Sequence, residues 1–99
     1  MEVLRDIDAF VPVDGDWRRL DDLLAELWHL GPREGHLPVL FRVFERFPDE
    51  DGAGVLWSIV HGVESLPCNY GEPLRESLAR QPSFMGNIML RRLERSASI

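Results

Sequence analysis

The stretch His36–Pro67, HLPVLFRVFERFPDEDGAGVLWSIVHGVESLP, decides the fold. Its first half repeats Leu40, Phe41, Phe44 and Phe47 at helical spacing. Pro38 fits the first turn of a helix, where its missing N–H costs nothing, and Pro48 ends the run because the residue before a proline avoids helical geometry. After the polar PDEDG comes a second apolar run. The expectation is a helix over about 38–47, a break, and a helix over about 52–65 with Asp49, Glu50 and Asp51 at its positive end.

The same punctuation continues on both sides. GDWRRLDDLLAELWHLGP predicts a helix over 17–30, with Asp16 as N-cap and Gly31-Pro32 as stop. Trp17, Leu20, Leu23, Leu24, Leu27, Trp28 and Leu30 fall mostly on one stripe, opposite Arg18, Arg19, Asp21, Asp22 and Glu26. EPLRESLARQP predicts a short fourth helix. SFMGNIMLRRLERS predicts a fifth, with Ser83 as N-cap and Arg91, Arg92 and Arg95 at its negative end. In the first dozen residues, Val3, Leu4, Ile7 and Phe10 suit a short helix, while AFVPV suits an extended segment. No strand pair is evident. The prediction is one all-α domain over 1–99, about five helices in antiparallel hairpins. Residues 38–66 and 73–95 look like two versions of one pattern, with first-turn prolines 35 apart and breaker prolines 34 apart. That offset favours a HEAT-like or armadillo-like array, with a closed helical bundle as the alternative.

Composition bounds the function. Net charge is −6, and there is no lysine. Residues 1–72 hold 15 Asp/Glu against 6 Arg (−9), and residues 73–99 hold 2 Glu against 5 Arg (+3). Such a balance argues against nucleic-acid binding, which needs a basic footprint, and suits a basic protein partner. No apolar run is long enough for a membrane span, and the acidic start MEVLRDIDAF is unlike a signal peptide, so the expected compartment is the cytoplasm. One cysteine, Cys68, allows no internal disulfide.

WSIVHGVES places Ser58, His61 and Glu64 three apart, the residue types of a hydrolase. On a helical wheel, however, Gly54, Ser58 and Gly62 form a ridge of small residues that lets a neighbour approach, and a serine within the helical ladder has no oxyanion donors beside it. His61 and Glu64 are spaced for a helix-face pair. Glu26 and His29 match one Glu-x-x-His element of a di-iron bundle, where two are needed, so no metal or other cofactor is expected. The acidic PDEDG suggests a docking edge. In a hairpin array the loops align, bringing Asp49, Glu50 and Asp51 near Asp14 and Asp16, with Trp17 and Trp57 as aromatic anchors.

The run LFRVFERFPDEDGAGVLWSIVHGVESL, continued by EPLRESLARQPSFMGNIMLRRL, resembles small bacterial immunity proteins of polymorphic toxin systems. The similarity spans residues 37–95 and is carried by ERFP, DEDG, WSIVHGVE and RQPS. It implies an all-helical cytoplasmic protein, not an enzyme, that binds and blocks a toxin. An acidic surface would face a basic, nuclease-type toxin. The basic fifth helix departs from a uniformly acidic inhibitor.

The expected function is therefore a protein-binding inhibitor. Its candidate contacts are Asp14, Asp16, Asp49, Glu50, Asp51, Trp57, His61 and Glu64, and it is expected to bind neither nucleic acid nor membrane. The rivals are a helical adaptor that homodimerises through the apolar third helix, and a small metal-dependent enzyme using Glu26, His29, His61 and Glu64.

Overall fold

The computed structural model describes residues 2–97; Met1, Ser98 and Ile99, the ends of the expected domain, lie outside it. Among the described residues the chain is all-helical, with six α-helices rather than five. They are α1 (Glu2–Ala9), α2 (Arg18–Leu30), α3 (Leu37–Arg46), α4 (Leu56–Glu64), α5 (Gly71–Arg80) and α6 (Phe84–Ala97), with a 3₁₀ turn at Glu34–His36 leading into α3. The extra helix is the ambiguous N-terminal segment. Val3 and Ile7, one turn apart, are both buried, and tertiary burial decides what the short sequence left open.

Helix ends follow the expected chemistry at most places. Gly31, at φ 95°, closes α2 with its N–H donating to the Leu27 carbonyl. Pro38 lies in the first turn of α3. The Ser83 Oγ accepts the Gly86 N–H at 3.1 Å, and its carbonyl accepts the Asn87 N–H at 2.9 Å, as an N-cap requires. Asp16 acts one residue ahead of the N-cap Trp17 and accepts the Arg18 N–H at 2.9 Å.

The helix expected from Gly52 begins instead at Leu56. Gly52, Ala53 and Gly54 all have positive φ (61°, 54° and 91°) and form a left-handed turn. Gly52 is buried, and a Cβ there would stand 2.9 Å from Trp17 Cε3 and 3.0 Å from Leu56 Cγ. Close approach of the turn to Trp17 thus excludes the longer helix. Gly54 therefore leaves the proposed small-residue ridge, which reduces to Ser58 and Gly62.

Helix α3 is the hub. Its Leu37, Leu40, Phe41, Val43 and Phe44 are buried, and it touches α1, α4, α5 and α6. Contacts otherwise run α1–α3–α5 in one layer and α2–α4–α6 in the other, with α1–α2, α3–α4 and α5–α6 paired between them. None of the main contacts joins the first pair to the third. The molecule measures 40 × 28 × 21 Å along its principal axes.

Polar ties fix the layers. Arg42 holds Asp8 through two bonds of 2.9 and 3.0 Å, joining α3 to α1. Arg46 donates to the Phe10 and Ile7 carbonyls at 2.6 and 2.9 Å, the second of which also accepts the Phe10 N–H at 3.2 Å, and so fastens the end of α1. Glu45 accepts from the Ser77 hydroxyl at 2.7 Å and from Arg80 at 3.0 and 3.2 Å, joining α3 to α5. Burial raises the Glu45 carboxyl, but the Arg80 and Ser77 hydrogen bonds outweigh it and leave the group below its usual range.

Candidate functional site: an acidic loop edge

One end of the molecule collects the hairpin loops. Trp17, at the start of α2, packs on Phe10 (centroids 5.6 Å) and edge-on to Phe47 (5.1 Å), beneath the Gly52 turn. The Phe84 N–H donates to the Pro48 carbonyl at 2.7 Å. The C-terminal ends of α1 and α3 and the N-terminal ends of α2, α4 and α6 therefore meet there. Trp17, expected as an exposed anchor, is 7% exposed and belongs to the core. Its role is to clamp two acidic loops together.

Those loops carry the predicted carboxylates. In Val13-Asp14-Gly15-Asp16 the Asp16 N–H donates to the Val13 carbonyl at 2.9 Å, and both central residues have positive φ, the signature of a type I′ reversal. Asp14, Asp16, Asp49, Glu50 and Asp51 are all exposed. Asp16 grips Arg18 through bonds of 2.7–3.2 Å, and the hydrogen bonds from Arg18 lower its carboxyl to about 2. The side chains of Asp14, Asp49, Glu50 and Asp51 have no hydrogen bond or ion pair among the described residues. Five arginines are committed to other groups: Arg18 to Asp16, Arg19 to Asp6 at 3.8 Å, Arg42 to Asp8, Arg46 to carbonyls and Arg80 to Glu45. Asp21 and Asp22, exposed in the first turns of α2, add to the same charge.

The other three candidates run away from this edge along α4. Trp57 is half-buried and stacks on the exposed His61 (centroids 5.9 Å, planes at 28°). His61 Nδ1 lies 4.0 Å from Glu64, but Glu64 is held by Arg92 of α6 at 2.7 and 2.9 Å. Ser58 Oγ accepts the Trp28 indole N–H at 3.0 Å. The Trp28 ring lies over Gly62, where a Cβ would come within 2.5 Å of it. The small ridge therefore receives a tryptophan. No hydrogen bond joins Ser58 to His61 among the described residues.

Among the described residues no three His, Cys, Asp or Glu side chains are grouped to hold a metal ion. The apolar residues of α4 that would seal a homodimer, Leu56, Ile59, Val60 and Val63, are buried within the chain. No helix among the described residues is long and apolar enough to cross a membrane.

Three apolar residues that sequence reasoning passed over also lie at the loop edge. Val11, Val13 and Phe84 are 65%, 72% and 52% exposed. Their signal was position: each borders a predicted helix end, where an apolar side chain has no helix face to join. No protein-family model, curated protein or solved structure matches the chain.

Proposed function

We propose that this chain is a protein-binding inhibitor, an immunity protein that neutralises a cognate bacterial toxin by covering its basic active cleft, and not an enzyme. The observation that carries this reading is the charge at the loop edge. Four exposed carboxylates, Asp14, Asp49, Glu50 and Asp51, have no side-chain partner among the described residues, while Arg18, Arg19, Arg42, Arg46 and Arg80 are bound to other groups. A rigid turn presenting uncompensated charge steers a basic partner and fixes its register. The sequence resemblance points the same way, and the stacked order of three helix pairs supports a HEAT-like description. The proposed site of action is the cytoplasm.

The test is neutralisation. The polypeptide encoded beside this chain's gene is expressed alone and with it, and growth and complex formation are followed. Protection by the wild-type chain, lost when Asp49, Glu50 and Asp51 are reversed to Lys, is the expected result. No protection by the wild type, or equal protection by the triple variant, removes the reading.

A further inference from the structure

Charge alone makes a weak, salt-screened contact, and the loop edge has more than charge. Among the described residues four large hydrophobic side chains are exposed: Val11, Val13, Leu30 and Phe84. Three of them, Val11, Val13 and Phe84, border the acidic loops. Val11 and Val13 flank Pro12 on the α1–α2 loop. Phe84 opens α6 beside the α3–α4 loop, joined to it through the Pro48 carbonyl. Phe47, half-buried against Trp17, and the half-buried Pro48, whose carbonyl holds the Phe84 N–H, belong to the same end of the molecule. Exposed apolar side chains set among charged ones are the mixture from which interface patches are built.

We infer that this edge is a two-component docking face whose occupant is a basic protein surface with an exposed apolar cluster at its centre. Phe84 and Val13 are the anchors, and Asp14, Asp49, Glu50 and Asp51 form the steering rim. The charge balance selects this occupant. A second copy of the chain would set four unpartnered carboxylates against their own likes, whereas a basic surface satisfies them. The inference rests on the inhibitor reading and adds the chemistry of its partner.

The two components separate by salt. At 1 M salt the screening length is about 3 Å, so the rim is silenced while apolar burial persists. The probe is the same neighbouring-gene polypeptide, with affinity measured at low and at 1 M NaCl. Phe84→Ser and Val13→Ser, both at exposed positions and checked for unchanged melting, are each expected to weaken binding by about tenfold or more at both salt levels. Leu30→Ser, at the far end of α2, should bind as wild type. The D49K/E50K/D51K variant should lose mainly the low-salt affinity. If Phe84→Ser and Val13→Ser bind as wild type while the acidic variant is weakened, the face is electrostatic only, and this inference falls while the inhibitor reading stands. A loss with Leu30→Ser as large as with Phe84→Ser overturns it as well. Failure of the wild type to bind the polypeptide at all removes both.

Discussion

Ala53 is the residue whose conformation most separates sequence from structure. Read as part of a helix, it is a good helix former, and Ala53→Gly costs about 1 kcal/mol. At φ 54° it is strained by its own Cβ, and glycine relieves that strain at some cost in unfolded-state entropy. Urea titration of Ala53→Gly should therefore show no loss, or a gain of up to about 1 kcal/mol. A loss near 1 kcal/mol would place the turn in the helix after all. Gly62 makes the opposite case. Alanine is the better helix former, yet its Cβ would meet Trp28, which Ser58 and the α2–α4 packing hold in place. Overpacking of this kind costs about 1–3 kcal/mol, so Gly62→Ala should destabilise despite the gain in propensity. The four-residue spacing of Gly54, Ser58 and Gly62 was visible in the sequence; that a tryptophan would fill the space was not, because Trp28 lies 34 residues before Gly62.

At the scale of elements, α1 is the piece least able to stand alone. Eight residues cannot sustain a helix in water, so it depends on Val3 and Ile7 in the core and on the ties from α3. Arg46 is the decisive one. Burial pulls its guanidinium below the usual arginine value, yet it stays charged and serves the carbonyls at the helix end. Arg46→Met keeps the aliphatic stem and removes the donors. Charged hydrogen bonds are worth about 1.5–3 kcal/mol each when buried, and this half-exposed pair less, so the expected loss is about 1–2 kcal/mol. Hydrogen exchange should localise the effect to residues 2–9, and uniform acceleration across all six helices would show that Arg46 does not act through α1. The ambiguity of the N-terminal dozen is physical. The helical spacing of Val3, Leu4, Ile7 and Phe10 spans only two turns and runs into AFVPV, which suits an extended segment, so the partner surface decides.

For the whole molecule, the polar ties along the α1–α3–α5 layer set the response to acid. The Arg42 hydrogen bond is the main cause holding Asp8 below the usual carboxylate range, and Glu45 also sits below its ordinary value. A carboxyl lowered in the folded state contributes stability that is present above its unfolded pKa and lost as pH falls through its folded value. The melting temperature should thus be level near neutrality and decline below about pH 4, near the unfolded carboxylate values. Glu45→Gln should flatten part of that decline, and an unchanged acid limb in this variant would mean that the α3–α5 tie does not govern it. Leu40, fully buried on the hub helix, gives the complementary measure: Leu40→Ala should cost about 2–5 kcal/mol at every pH.

The sequence by itself determined most of the elements, though not α1 or the start of α4, because helix punctuation is local. Prolines, a capping serine and a Gly-Pro stop act within a turn of where they stand, and the all-α class, the bounds of α2, α3 and α5 and the cap of α6 follow from them. It also determined the acidic character of the first 72 residues. Only the tertiary structure decided that Trp17 is a clamp, that Gly52–Gly54 turns left-handed beneath it, that Glu64 is held by Arg92, and that Phe84 and Val13 share an edge with Asp49, Glu50 and Asp51. Each of these depends on residues tens of positions apart being brought within a few ångströms, and on burial, which is a property of the assembled hairpins and not of any stretch of chain.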